Sequence, residues 1–504
     1  MTGNLFWSLV ILILGACIGS FLNVVIYRLP RGLSVLRPLR SFCPACERSI
    51  AWYDNVPVIS YLLLGGRCRR CRSAISLQYP LVELTTALVF LMLFDAMFVA
   101  RVREGIGHLW TDWPMLAAHM VLLGGLIALT VMDLEAYMVD VRVTWIIAAA
   151  GVVAHAVWTP ASSLKQSLGS AAMSLPGYGG WIRPGPLEAV VALAATAGLV
   201  LGVLLFMRGL ASGPEEVPES DEPAAEDAPQ TTEQAVQFAL PVRQRGGWHL
   251  PVLAVLAVLL VGYAVVVGGI GRPVSLAWLD VVGTERVETS QTGARLLTHP
   301  AAIRLGGGFV LCFIALALVA SHPQPVADSE ILEAIEAEAV DARRNALWEL
   351  KLLSPAILLA AGAGAVLWWG GPGVQREIAA VLQRDIGGGW RPLLGLATGL
   401  SGWIIGGAVG WLARIVFTLA FGKEALGMGD VHILGAAGAV AGWPVALIGF
   451  FLAAPLALLA IVVIALRRQS RALPYGPWLA LAFLGVCLFQ DVFLRYARVR
   501  WLLE

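Results

Sequence analysis

The sequence predicts an all-α polytopic membrane protein with about twelve apolar segments and a small cytoplasmic zinc domain after the first helix. Three observations predict this class: 58% of the 504 residues are hydrophobic, only 14% are charged, and the mean hydropathy is +0.77. A soluble globular protein needs more polar surface than this composition provides. The formal net charge of +1 includes no basic domain, so no nucleic-acid partner is expected.

Apolar stretches recur along the whole chain. A helix needs about 20 apolar residues to cross the hydrocarbon core of a bilayer. The first stretch lacks the basic start of a signal peptide and is too long for one, so residues 1–27 are interpreted as the first transmembrane helix. The predicted segments are 5–27, 80–100, 114–132, 141–158, 187–207, 250–270, 305–320, 353–369, 392–420, 431–442, 444–466 and 478–492.

The loop at residues 28–77 carries nine arginines and only two acidic residues. By the positive-inside rule this loop is cytoplasmic. Counting crossings from there brings Asp133, after the third segment, and Asp430, after the ninth, to the same cytoplasmic face. The segment 431–442 is about 18 Å long as a helix and too short to cross alone, which leaves the side of the C-terminus open.

Four of the seven cysteines lie in this loop as two C-x2-C pairs, Cys43 with Cys46 and Cys68 with Cys71. Paired thiolates at this spacing can bind one zinc ion tetrahedrally. Two disulfides are the alternative, which a reducing cytoplasm disfavours. A zinc ion with four cysteine ligands has no open coordination position, so residues 28–79 are predicted to form a domain in which the zinc is structural.

Six features occur in order along the chain: GACIGSFLNVVIYRLPRG, the two CxxC pairs, YPLVELTTA, MDLEAYMVD, GKEALGMGDVHILGAAGAVAGW and LPYGPWLALA. Together they resemble the prepilin peptidases, the bacterial members of the GxGD aspartyl protease group, over residues 1–158 and 392–492. The resemblance implies a multi-pass enzyme of the bacterial inner membrane that cleaves the leader from type IV prepilins, or from pseudopilins of type II secretion, at the cytoplasmic face. It also implies N-methylation of the new N-terminus with S-adenosylmethionine as cofactor. The implied partners are the substrate helix and the lipid bilayer.

By position within this resemblance, Asp133 and Asp430 are the predicted catalytic pair. Two carboxylates in a partly dry site do not both ionise readily, so one stays protonated while the other takes a proton from water. The alternative roles are a helix end for Asp133 and an N-cap for Asp430. Gly427 and Gly429 are expected where the backbone approaches closely or takes a positive φ.

Residues 159–391 have no counterpart in the resemblance and are interpreted as an insert between the helices of 80–158 and those of 392–504. Its four predicted segments are an even number, so the second aspartate stays on the same side. Residues 213–237 hold eight acidic residues, no basic ones and four prolines, which predicts a disordered linker. Residues 328–351 predict an amphipathic helix on the membrane surface or on the zinc domain.

Four other polar residues near these motifs are given structural roles. Glu83 lies in an apolar run and is expected to pair with an arginine of the loop. Glu135 and Asp140 are expected to be solvated charges at the membrane interface, and His432 is expected to have a surface role.

The alternative function is that of a transporter or channel with a cytoplasmic zinc ribbon, whose intramembrane aspartates bind protons or ions. The number of segments and the long insert favour it. Transporters place such carboxylates near the bilayer midplane, whereas both aspartates here are predicted at one interface. The protease is therefore the favoured interpretation.

Overall fold

The computed structural model describes residues 2–38, 40–100, 106, 108–158, 186–208, 249–269, 299–320, 342–384, 386, 390–424, 426–466 and 474–496. Over these ranges the chain forms thirteen α-helices and no β-strand, which confirms the predicted all-α class. The predicted linker 213–237 lies outside the described residues. The helices are α1 (Thr2–Arg28), α2 (Ile59–Leu63), α3 (Gln78–Phe94), α4 (Leu109–Ala136), α5 (Val141–Val157), α6 (Pro186–Met207), α7 (His249–Gly269), α8 (His299–Ala320), α9 (Ala342–Leu382), α10 (Pro392–Phe421), α11 (Met428–Ala441), α12 (Trp443–Leu466) and α13 (Gly476–Tyr496).

Twelve of these helices coincide with the twelve predicted apolar segments. Seven are long and apolar enough to cross a membrane, namely α1, α3 with the π-helical turn that ends it, α4, α6, α9, α10 and α12. The apolar parts of α5, α7, α8, α11 and α13 are shorter. Only α2, in the loop after α1, has no counterpart among the predicted segments.

Small residues bring α11, the helix that carries Asp430, into backbone contact with α10 and α5. A Cβ atom on Gly402 of α10 would lie 2.0 Å from the carbonyl oxygen of Gly438 of α11. A Cβ atom on Gly151 of α5 would lie 2.7 Å from the carbonyl of Ala439. Because membrane helices associate by close packing, these contacts fix α11 between α5 and α10.

The insert packs into the bundle. Its helices α6 and α9 pair with each other and contact α10, α7 contacts α1 and α3, and α8 contacts α3 and α13. The closest point of the α6–α9 pair is Gly198, where a Cβ atom would lie 2.4 Å from the Cα of Ala356.

The amphipathic helix predicted at 328–351 and the membrane segment predicted at 353–369 are continuous where the chain is described. From Ala342 the helix α9 continues through residues 353–369 as far as Gly371, whose φ of 69° is not helical, and a second helical part then ends at Leu382. Ser354 and Pro355 are typical of a helix start, but Gly198 and Gly202 of α6 pack on this stretch and hold it helical. Residues 328–341 lie outside the described residues.

The path of the last three helices determines on which side α13 begins. With 14 residues, α11 is about 21 Å long, shorter than a hydrocarbon core of about 30 Å. Gly442, with a φ of 90°, ends α11, and α13 begins at Gly476 beside both aspartates. The helix α13 therefore starts from the same end of the bundle at which α11 starts.

Candidate active site

The structure brings Asp133 and Asp430 together. Asp133 lies in the last turn of α4 and Asp430 in the first turn of α11, and the two residues are 7% and 8% exposed. Their carboxylates converge on Gly476: a Cβ atom at this residue would lie 2.6 Å from Asp133 Oδ2 and 3.5 Å from Asp430 Oδ1. Two buried carboxyl groups thus lie against the same glycine, as the predicted catalytic pair requires.

Gly476 belongs to the site, although no functional role was predicted for it. It is the first residue of α13, and its backbone N–H donates a hydrogen bond to the carboxylate of Asp133. The neighbouring Tyr475 donates its hydroxyl to the carbonyl of Phe450 at 2.6 Å, which ties the start of α13 to α12. The sequence signal was the Gly-Pro pair of LPYGPW, since proline is typical of the first turn of a helix.

The alternative role of Asp430 as an N-cap is wrong. Gly427 is the N-cap of α11, and Asp430 occupies the third helical position. The N–H of Gly427 donates to the Asp430 carboxylate, as in the second half of a capping box. The N–H of the N-cap residue therefore fixes this carboxylate in the first turn of α11.

The two glycines of the GMGD motif have different surroundings. A Cβ atom on Gly429 would lie 2.5 Å from the Cβ of Val139, in the loop after α4. Gly427 has a φ of −63°, and a Cβ atom there would lie 3.6 Å from Asp430 Oδ2, an ordinary contact. Only Gly429 therefore stands where a neighbouring side chain, that of Val139, leaves no room for a Cβ atom.

The loop between α4 and α5 is held by Asp140, which is 8% exposed and therefore not the solvated charge that was expected. Its carboxylate caps α5 by accepting the N–H of Arg142 at 2.9 Å and pairs with the guanidinium of Arg142 at 2.6 Å. The Arg142 side chain holds the pKa of Asp140 below its usual range. This cap fixes the loop that contacts Gly429.

The four cysteines of the N-terminal loop form one cluster. Their sulfur atoms all lie within 4.8 Å of one another, and those of Cys43 and Cys71 are 3.9 Å apart. Zinc–sulfur bonds of about 2.3 Å in a tetrahedron place the sulfurs about 3.8 Å apart, so the donor set fits this metal. All four are free thiols, in contrast to the disulfide alternative.

The two CxxC turns have the same backbone geometry. The N–H of Cys43 donates to the carbonyl of Arg48, and that of Cys68 to the carbonyl of Ser73, at 3.0 and 2.9 Å. Glu47 and Arg72 have positive φ angles of 57° and 60° at equivalent positions. The Ser73 side chain and backbone lower the pKa of the Cys71 thiol to about 6, which favours the thiolate that a metal binds.

Polar groups of α1 and α3 attach this zinc domain to the bundle. The expected pairing of Glu83 with an arginine is wrong: its carboxylate accepts the backbone N–H of Val58, at the start of α2, at 2.7 Å. Asn23 donates to the carbonyl of Tyr79 at 3.1 Å. Arg28 donates to the carbonyls of Ser34, Val35 and Pro38. The partners are therefore backbone groups, of the loop for Glu83 and Arg28 and of the first turn of α3 for Asn23, and sequence patterns do not show them.

A cavity of about 1970 Å³ lies between the zinc domain and the bundle. Residues of α1, α3, α4, α8 and α13 line it, and most of its wall is apolar. Leu134, which follows Asp133, and Pro477, which follows Gly476, are part of the wall. The cavity therefore borders the residues next to the two carboxylates, and its volume exceeds the roughly 300–1,000 Å³ of small-molecule pockets.

Comparisons with known proteins identify the family. The family described as Bacterial Peptidase A24 N-terminal domain matches residues 13–97. The prepilin leader peptidase/N-methyltransferase of Myxococcus xanthus is 33% identical over 271 residues, which cover 48% of this chain and 76% of that protein. The chain belongs to the prepilin leader peptidase/N-methyltransferase family. The family predicted from the motifs is thus confirmed.

Other members of the prepilin peptidase family match in the same way. The type 4 prepilin-like proteins leader peptide-processing enzyme of Escherichia coli is 33% identical over 236 residues, covering 38% of this chain and 82% of that protein. The prepilin leader peptidase/N-methyltransferase of Pectobacterium carotovorum is 32% identical over 244 residues, covering 39% and 82%. No solved structure matches the chain at a significant level.

Proposed function

We propose that the protein is a membrane aspartic endopeptidase that cleaves the leader peptide of type IV prepilins or of type II secretion pseudopilins. The observation that carries the proposal is the convergence of the buried Asp133 and Asp430 carboxylates on Gly476. The names of the relatives, which are those of leader peptidases, support the substrate class.

In the proposed reaction, one carboxylate of the pair is charged and takes a proton from a water molecule, whose oxygen attacks the peptide carbon. The protonated partner donates to the carbonyl oxygen. As the tetrahedral intermediate collapses and the C–N bond breaks, the carboxyl group that took the proton from water gives it to the leaving amine, and the partner carboxylate takes back the proton of the intermediate's hydroxyl. The N–H groups of Gly476 and Gly427 fix one carboxylate each during these steps.

The large cavity is the proposed binding site of the substrate segment. Its apolar wall suits the hydrophobic helix of a pilin, and its polar side, formed by the zinc domain, suits the leader. The excess of arginine in the loop supports a cytoplasmic location of this domain and of the dyad, at the bacterial inner membrane. Cysteines 43, 46, 68 and 71 would hold the zinc ion, which supplies structural stability to the domain.

A second activity, N-methylation of the new N-terminus, is proposed from the names of the relatives. Its methyl donor would be S-adenosylmethionine. The described residues do not single out a binding site for this cofactor.

The test is cleavage of a purified prepilin by the protein in detergent, with Asp133→Asn, Asp430→Asn and the double variant. An amide keeps the shape of the side chain but supplies neither a base nor an acid, so each single variant should lose at least about a thousandfold in kcat. The double variant should be little worse, because the pair acts as a unit. An already cleaved pilin should still be methylated by the Asp430→Asn protein.

The matched control is Glu188→Gln, the same carboxyl-to-amide change at an exposed position in the first turn of α6. It should cleave at the wild-type rate. Full cleavage by both aspartate variants would overturn the proposal and favour the transporter.

A further inference from the structure

Arg414 connects the insert with the loop that leads into the GMGD motif. It lies near the end of α10, and its side chain is 12% exposed. Its Nε donates to the Glu349 carboxylate of α9 at 2.9 and 3.2 Å. Its terminal nitrogen donates to the Glu424 carboxylate and to the carbonyl oxygen of Leu426. One guanidinium thus joins two helices and the loop between α10 and α11.

The bond to Leu426 leads directly to Asp430. The carbonyl of Leu426 and the N–H of Gly427 belong to the same peptide group, and this N–H donates to the Asp430 carboxylate. A cationic donor on the carbonyl polarises the peptide group and strengthens its N–H as a donor. Arg414 is therefore connected to the Asp430 carboxylate through a single peptide group.

Glu349 of the insert holds the guanidinium in place. Its side chain is 7% exposed and accepts a second hydrogen bond from Trp411 Nε1 at 3.1 Å, so the carboxylate is fixed on both sides. A second contact from α9 supports the same loop: the guanidinium of Arg343 lies 3.2 Å from the position of a Cβ on Gly422, the residue that ends α10 with a φ of 69°.

We propose that Arg414 is a positioning residue for Asp430, and that the insert supplies Glu349 to hold Arg414 in its working orientation. The proposal rests on the proposed function of Asp430 and adds a role for the insert in the peptidase reaction. The order of contacts is Glu349, Arg414, the peptide group of Leu426 and Gly427, and then the carboxylate.

The first test compares Arg414→Gln, Arg414→Lys and Glu349→Gln in the prepilin cleavage assay. Arg414→Gln removes the cation, and kcat should fall about 10- to 100-fold while KM changes less than about twofold, since a positioning residue acts on the reaction step. Arg414→Lys keeps a charged donor, so its kcat should lie between that of Arg414→Gln and that of the wild type. Glu349→Gln should give a smaller loss of kcat.

Methylation of an already cleaved pilin provides an internal reference. It does not use Asp430, so it should stay within about twofold of the wild-type rate in all three variants. The matched control is Arg376→Gln on α9. The arginine at this position is exposed, and its described hydrogen bond goes to the carbonyl of Pro372 in the same helix. It should leave both activities unchanged. Equal losses of cleavage and methylation would indicate a general structural defect and overturn the proposal.

The second test is independent of activity. Labelling leucine carbonyl carbons with ¹³C and glycine nitrogens with ¹⁵N selects the NMR signals of Leu–Gly peptide groups, and the signal of Gly427 is the one lost in Gly427→Ala. A weaker hydrogen bond should move its amide proton upfield in Arg414→Gln, less in Arg414→Lys, and not in Arg376→Gln. An unchanged Gly427 signal in Arg414→Gln would refute the connection from Arg414 to Asp430 through this peptide group, even if the wild-type protein cleaves normally. Absence of cleavage by the wild type would refute the proposed function and leave this readout valid.

Discussion

At the scale of single residues, each carboxylate of the proposed catalytic pair is bound by a backbone N–H of a glycine, Gly476 for Asp133 and Gly427 for Asp430. Backbone donors have no side-chain rotamers to order, so they position a carboxylate at low entropic cost. At Gly476 the absence of a side chain is also a steric requirement, because a Cβ atom would meet the Asp133 carboxylate.

The different surroundings of the two motif glycines give a prediction. Gly429→Ala places a methyl group 2.5 Å from the Cβ of Val139, which is too close, so α11 or the loop after α4 must shift. Overpacking of this kind costs about 1–3 kcal/mol, and a shift of the dyad should lower kcat at least about tenfold. Thermal unfolding and prepilin cleavage in detergent measure the two effects.

Gly427→Ala is the matched variant, since its methyl group fits. Alanine is a poorer N-cap than glycine, so a loss of about 0.5–1 kcal/mol in stability is expected, with kcat within about threefold of the wild type. Equal losses of kcat in both variants would show that the close approach at Val139 does not position Asp430.

At the scale of elements, the zinc domain consists of two turns of equal geometry that bring four thiols together. A domain this small has little apolar core, so a bound metal supplies much of its folding free energy. The domain is then attached to the bundle by the Glu83 carboxylate on the N–H of Val58.

Cys46→Ser should therefore lower the yield of folded protein and the zinc content more than it lowers the turnover of the folded fraction. Elemental analysis of reduced protein should give one zinc per wild-type chain and much less in the variant. Cys17→Ser, an exposed cysteine of α1 outside the cluster, is the control and should keep one zinc per chain. Reduced wild-type protein without zinc would contradict the metal assignment.

The elements themselves were largely predictable from the sequence, because the length and apolarity of a membrane helix are local properties. The continuity of α9 across Ser354 and Pro355 was not, since packing against Gly198 overrides the helix-start signal of these two residues. The same contrast holds at the site. Counting crossings placed Asp133 and Asp430 on one face, whereas Gly476 and Arg414 act through contacts that only the folded chain makes.

At the scale of the whole molecule, the insert is built into the enzyme at three places. The helix α9 supports the loop before Asp430 through Glu349. The helix α8 lines the large cavity with Cys312, Ala315 and Leu316. The third place is a buried polar cluster, in which Asp95, at the π-helical turn after α3, pairs with Arg304 of α8 at 2.9 Å and accepts the hydroxyl of Tyr263 of α7 at 3.4 Å.

This cluster gives the last prediction. Asp95 is fully buried and the Arg304 side chain is 13% exposed. Removing one partner leaves an uncompensated charge, so Arg304→Met should destabilise the protein by about 3–5 kcal/mol. Asp95→Leu combined with Arg304→Met removes both charges and should be closer to the wild type than Arg304→Met alone. Thermal unfolding in detergent, followed by helix content, measures both variants.

The matched control is Arg69→Met, which breaks the pair with Asp54 where the arginine side chain is 55% exposed. Exposed pairs contribute about 0–1 kcal/mol, so this variant should lose little. The comparison decides how the insert is attached. If Arg304→Met loses no more stability than Arg69→Met, the cluster does not hold α7 and α8 in the bundle. Apolar packing against α1, α3 and α13 must then hold α8 in its position beside the cavity.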